Sequence, residues 1–316
     1  MAKKELWWLP HVVAFVVVVI WGSTFVFTKL LLLDGLSAAQ VFTLRFVIAY
    51  MLLTVFSLFK SRHMKWVAHS WKDELLLAAM GVTGGSLYFL TENEALNYTT
   101  TTNVSLIVCC CPLVAALLIG LFYKTQRMNA LQSLGTLLAA LGVAVVVLNG
   151  HFVLHLSPVG DLLALTANVC WALYSLFMVG AMKRYDSLFI TRKVFFYGLL
   201  TILPYFAVNP GWPPLQQLFQ PRTLGCLLYL GVVASMVCFL VWTWVMKQLG
   251  AVVATNYVYV NPLATIIFAR LVLGEQVTLF FALGALLILG GMYLADRKQG
   301  HEGAVTASSN MDATTS

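Results

Sequence analysis

The chain has 316 residues, of which 60% are apolar, 13% aromatic and only 10% charged, with a net charge of +7 and a mean hydropathy of +0.87. A soluble domain carries about 25% charged residues, so this composition excludes an ordinary soluble fold. At about 20 residues per membrane span, ten spans use most of the chain and leave no room for a second soluble domain.

Hydrophobic segments are predicted at 9–33, 38–59, 74–96, 101–121, 129–149, 159–182, 187–208, 222–246, 251–273 and 278–295. The expected fold is an all-α integral membrane protein of ten transmembrane helices. The lysine in loop 8–9 and the basic residues before span 1, after span 10 and around loops 2–3, 4–5 and 6–7 all lie on one side. Of the 19 lysines and arginines, only Lys29, Arg45, Arg222 and Arg270 fall elsewhere. The positive-inside rule then puts both termini in the cytoplasm, in a bacterial inner membrane. The surplus charge is an orientation signal, and nucleic acid is excluded as a partner. The first apolar run lacks a cleavage pattern and is expected to be a retained helix.

Span 1 carries Trp21, Thr24 and Thr28 on one face and Lys29 near its outer end. Span 2 carries Arg45. Span 3 carries Glu92 and Glu94 near its outer end, with Glu92 on the stripe of Tyr88, Gly85 and Gly81. The two glutamates lie about 200° apart on a helix, so only one can face a cavity, and Glu92 is the better candidate. Lys29, Arg45, Glu92 and Glu94 are expected at similar depth as an outer-half charge cluster. Intramembrane charges are functional candidates by default; a structural ion-pair cluster or a gate is the competing explanation.

Span 4 opens with Asn103 and Ser105 and contains Pro112. Span 5 repeats small residues at Gly135, Ala139 and Gly142, and span 10 does so at Gly284 and Gly291. Such stripes permit close helix contact, either within the molecule or in a homodimer. Span 6 carries Asn168, Trp171 and Ser175, span 8 carries Trp242 and Trp244, and span 9 carries Asn256, Tyr257, Asn261 and Pro262. Polar and aromatic groups of this kind suit a cavity that stacks and orients a small solute; helix–helix hydrogen bonds are the plainer alternative. Loop 7–8, from Asn209, is rich in turn formers, and the tail 296–316 is expected to be a disordered cytoplasmic end. All six cysteines fall in spans and read as core residues.

Pro112 and Pro262 lie 150 residues apart, as do Trp21 and Trp171, and Phe27 and Phe177. Two five-span repeats, 9–149 and 159–295, are therefore expected, and an odd span count inverts the second. Inverted repeats are a common plan of secondary transporters. The paired prolines read as hinges or as fixed bends.

The residues Trp21-Gly22-Ser23, Arg45-Phe46, Ala95-Leu96-Asn97-Tyr98-Thr99, Pro112, Pro262 and Gly274-Glu275 give the chain a resemblance to the EamA-like family of the drug/metabolite transporter superfamily. It covers residues 10–295. A departure is Gln126, where Gly-Glu often stands. The resemblance implies two inverted five-helix repeats, a cavity lined by spans 1–4 and 6–9, and export of small metabolites or amino acids. The expected partners are a small-molecule solute, the lipid bilayer and, for coupling, protons or cations. No Walker A, HExxH or GxSxG motif is present, so no cofactor, metal or enzymatic reaction is expected. An uptake permease has the same marks, and a membrane enzyme or lipid-handling protein is the reading from another class.

The charge pattern predicts residues 151 and 301 on opposite sides of the membrane. Single cysteines there should react with an impermeant thiol reagent from opposite faces; labelling from the same face would contradict the topology.

Overall fold

The computed structural model describes residues 8–60, 66–98, 104, 107–123, 128–148, 157–209, 211–273 and 279–296. Regular structure among them is entirely helical. In chain order these are α1 (Leu9–Leu33), α2 (Ala38–Lys60), α3 (Trp71–Tyr98), α4 (Ile107–Phe122), α5 (Ala130–Leu148), α6 (Pro158–Ala181), α7 (Ser187–Val208), α8 (Pro221–Leu249), α9 (Ala251–Val272) and α10 (Leu279–Asp296). Seven of them, α1–α3 and α6–α9, are long and apolar enough to cross a membrane. Three of the ten expected spans correspond among the described residues to shorter apolar helices, Ile107–Phe122, Ala130–Val145 and Ala282–Ala295. The predicted tail beyond 296 lies outside the described residues, as do His151 and the Gly274-Glu275 pair.

Local chemistry sets the helix ends. Ser70 caps α3 by accepting from Asp73 N, Asp186 caps α7 by accepting from Phe189 N, and Ser157 caps α6 ahead of Pro158. Gly250, at φ +81°, makes the one-residue joint between α8 and α9, a conformation that costs a side-chain-bearing residue energy.

Four helices are irregular. α3 contains a π-helical stretch at Val82–Ser86 and α8 one at Tyr229–Val237; the first, shifted by the repeat offset, falls inside the second. α4 breaks at Cys110, where N–H groups reach back only three residues, from Cys110 to Ile107 and from Leu113 to Cys110. α9 tightens to a 3-10 stretch at Tyr257–Val260 and restarts at Asn261. Pro112 and Pro262 each occupy the second residue of a restarted helix. A proline inside a helix removes a backbone hydrogen bond, but that loss is largely avoided here, because an N–H in the first turn has no helical acceptor.

Close backbone approaches join the elements. On Gly81 a Cβ would lie 2.4 Å from the Cβ of Tyr197 in α7, and on Gly231 it would lie 2.8 Å from the Cβ of Ile48 in α2. With a one-residue slip on the partner side, these contacts are also repeat equivalents. The small-residue stripes of α5 and α10 face each other: a Cβ on Gly135 would lie 2.5 Å from the Gly291 carbonyl, and one on Gly142 would lie 2.8 Å from the Gly284 carbonyl. The stripes are thus consumed by packing within the molecule, which removes them as a homodimer contact.

Gly135→Leu should overpack this seam and cost about 1–3 kcal/mol or more. Gly290→Leu should be near neutral, because a Cβ there meets open space. Thermal unfolding in detergent distinguishes the two; equal midpoints would contradict the seam.

Candidate functional site

Seven helices converge on a central cavity. Its walls are Trp21, Thr24 and Phe25 of α1, Arg45 of α2, Tyr88, Phe89 and Glu92 of α3, Val108 and Cys111 of α4, Trp171 of α6, Phe239 of α8, and Val258 and Asn261 of α9. The free space is about 30 Å³, room for a water or two. Aromatic rings fill the rest. Phe239 is the hub, with ring centroids 5.4 Å from Phe195, 5.6 Å from Trp21 and 6.2 Å from Trp171.

Both charges in the cavity are held by specific partners. Arg45, 2% exposed, donates from Nε to Ser235 Oγ at 2.9 Å and lies 4.4 Å over the Phe89 ring. Ser235 is inside the π-helical stretch of α8, so the irregular backbone helps aim the acceptor. Glu92, 7% exposed, accepts from Tyr88 Oη at 2.7 Å, one turn earlier on α3. Arg45 and Glu92 thus present opposite charges to one small space.

Two polar atoms on the cavity wall are buried without a hydrogen-bond partner among the described residues: Trp171 Nε1 and Asn261 Oδ1. Leaving a buried polar atom unpaired costs about 1–3 kcal/mol, so these are positions where water or a solute gains most. Trp21, the repeat equivalent of Trp171, instead donates to the Ala234 carbonyl at 2.9 Å. The two tryptophans pack edge-on at 5.4 Å, one bonded within the protein and one left open.

Of the residues expected at the site, Trp21, Thr24, Tyr88, Glu92, Trp171 and Asn261 line the cavity together with Arg45. Thr28, Asn168, Ser175, Trp242 and Asn256 are buried outside its wall. Asn168 Nδ2 donates to the Ile107 carbonyl and Ser175 Oγ to the Trp171 carbonyl. Trp242 packs 5.0 Å from Trp21. Tyr257 turns away to His11, 2.7 Å from its Nδ1, while Trp244 lines a separate groove with Phe56 and Lys247. Asn103 and Ser105 lie outside the described residues.

The expected four-charge cluster divides. Lys29 donates to the Leu96 carbonyl at 3.1 Å, and Glu94 accepts from Asn97 Nδ2 at 3.4 Å; neither reaches the cavity wall. The reason is angular, since Glu94 is on the far side of α3 from Glu92. Sequence reasoning passed over Phe25, Phe89 and Phe239, whose apolar side chains look like any core residue. It also counted Lys193 as a loop charge, although it is buried against Glu74; its place six residues inside a predicted span was the available signal.

The EamA-like transporter family model matches residues 8–148 and again 158–295. The chain belongs to the EamA-like transporter family. It is 29% identical over 295 residues to an uncharacterized transporter of Archaeoglobus fulgidus, covering 92% of this chain and 98% of that protein. It is 27% identical over 300 residues to a probable amino-acid metabolite efflux pump of Escherichia coli, covering 90% and 93%. A solved crystal structure shares the fold with a TM-score of 0.72 at 16% identity, covering 90% of this chain and 97% of the other. This EamA-like protein is a multi-pass membrane transporter and not an enzyme.

Trp171→Phe should keep the ring packing, lose the open N–H and weaken solute affinity by roughly tenfold. Trp21→Phe should instead lower stability by about 1 kcal/mol. Paired binding and unfolding measurements test the contrast; equal effects on affinity would contradict it.

Proposed function

We propose that this EamA-like protein is a secondary transporter that exports a small, zwitterionic, amino-acid-like metabolite by alternating access. The observation that carries this reading is the presence of Arg45 and Glu92 in one aromatic cavity that also holds the unpaired Trp171 Nε1 and Asn261 Oδ1. A carboxylate suits the guanidinium of Arg45, an ammonium suits Glu92, and an apolar side chain suits Phe25, Phe89 and Phe239. Charge pairing offsets the desolvation of both partners only when each finds its opposite, which disfavours a solute of single charge. The efflux pump of Escherichia coli supports an amino-acid metabolite as cargo and export as direction.

The reading includes ten spans in two inverted five-helix repeats, each family match being one repeat, with Pro112 and Pro262 as symmetry-related hinges. Repeat-equivalent π-helical stretches and glycine contacts support it. Both termini are then cytoplasmic and the protein resides in the bacterial inner membrane. Glu92 couples solute movement to protons or cations, because neutralising it changes the charge balance at Arg45.

Counterflow in proteoliposomes with a labelled panel of amino acids and other metabolites is the test. A zwitterion should exchange, and failure of every solute under every gradient would overturn the reading. Glu92→Gln should slow transport by at least about tenfold, the scale of a lost charged contact, and flatten its pH profile. An unchanged rate and pH profile in stable Glu92→Gln protein would remove Glu92 from coupling.

A further inference from the structure

Side chains tie the two family matches together at both ends of the bundle. At the end where α3 begins, Asp73 pairs with the Arg184 guanidinium and accepts from Tyr185 Oη at 2.8 Å. Beside it, Glu74 accepts from Lys193 Nζ at 2.7 and 2.9 Å, from Ala68 N at 2.6 Å and from Tyr197 Oη. At the opposite end, Asp34 lies 3.7 Å from Arg222 Nη2 and accepts from Thr223 Oγ1 at 3.4 Å.

These ties are related by the repeat. A shift of 150 residues carries Asp34 onto Arg184 and Asp73 onto Thr223. Asp73–Arg184 and Thr223–Asp34 are therefore one contact made twice, with the acid moved to the other partner. The second tie has no twin, since the same shift carries Glu74 onto Leu224 and Lys193 onto Thr43. The ends also differ in burial. The Glu74 and Lys193 side chains are each 10% exposed, whereas the arginines beside Asp73 and Asp34, Arg184 and Arg222, are both 57% exposed, so the asymmetry rests on the Glu74–Lys193 pair. An exposed pair is screened by water and salt. A buried carboxylate that accepts several hydrogen bonds is not, and separating it from its lysine strands two charges.

We propose that Asp73–Arg184 and Glu74–Lys193 form a latch that closes the α3 end of the bundle, with the contacts of Asp34 to Thr223 and Arg222 as its weaker counterpart at the opposite end. The inequality sets the resting state: the unloaded transporter holds the α3 end shut and opens more readily at the other. The positive-inside topology makes the α3 end cytoplasmic. The latch rests on the alternating-access cycle proposed above but not on the identity of the solute.

Hydrogen–deuterium exchange of the full chain in lipid nanodiscs, without solute, tests this. The neutral pair Glu74→Gln/Lys193→Gln leaves no stranded charge. It should exchange roughly tenfold faster in segments 66–75 and 182–193, with no rise in 211–223. Asp34→Asn should raise exchange at 211–223 alone. The charge-exchanged pair Glu74→Lys/Lys193→Glu should return part of the protection at the α3 end, short of wild type because a lysine at position 74 cannot accept from Ala68 N or Tyr197 Oη. If the neutral pair is folded and as protected at the α3 end as the wild type, the pair is structural packing and the latch is overturned. An equal rise at both ends would overturn it too, because that reports general loosening. Because no solute is present, neither outcome bears on the substrate class, and failure of counterflow leaves this measurement intact.

Discussion

Inside a bilayer every backbone N–H and C=O must find its partner within the protein or in enclosed water. That constraint explains where this transporter is irregular. The 3-10 stretch of α9 and the break in α4 border the cavity, and the π-helical stretches lie on two helices, α3 and α8, that contribute to its wall, whereas the described parts of α5 and α10 are continuous α-helices that contribute nothing to it. Side chains of the other family match supply donors at these places. Trp21 donates to Ala234 in the π stretch of α8, Asn168 to Ile107 beside the break in α4, and Cys109 to Val258 in the 3-10 stretch of α9. Helix irregularity is therefore both a way to bend a span and the means by which one half holds the other.

The same division separates a stiff region from a deformable one. Where α5 meets α10, Gly135, Gly142, Gly284 and Gly291 bring backbone against backbone, leaving little room for movement at those points. Around the cavity the contacts are made by large rings, Phe46, Phe89, Trp171 and Phe239 among them, with centroids about 5–6 Å apart. Rings can tilt past one another while staying in contact, which lets the wall alter shape without losing burial.

The sequence made some span boundaries legible where a cap or a turn marks them, though α3 begins three residues before the predicted 74 despite its Ser70 cap. The predicted 9–33 and 187–208 coincide with α1 and α7, because the turn formers Asp34-Gly35 follow the first and Asp186 precedes the second. The choice of Glu92 over Glu94 followed from helix geometry, which allows only one to face a cavity, and from the Tyr88, Gly85 and Gly81 that share the stripe of Glu92. Long-range pairings were not legible. Nothing in the composition of α1 tells that His11 meets Tyr257, or that Arg45 is bonded to Ser235, since each pair is close only after the halves have docked. The aromatic wall was hidden for a related reason: Phe239 in a core and Phe239 in a binding wall obey the same hydrophobic periodicity, and only the neighbouring polar groups tell them apart.

A carrier whose own side chains occupy the seat of its cargo does not expose a large empty site when unloaded. With about 30 Å³ free, the rings of Trp21, Trp171 and Phe239 already supply the contacts that a solute would displace. Under the proposed function a solute must push these rings apart to enter, so cargo and wall compete for the same space and binding reshapes the wall.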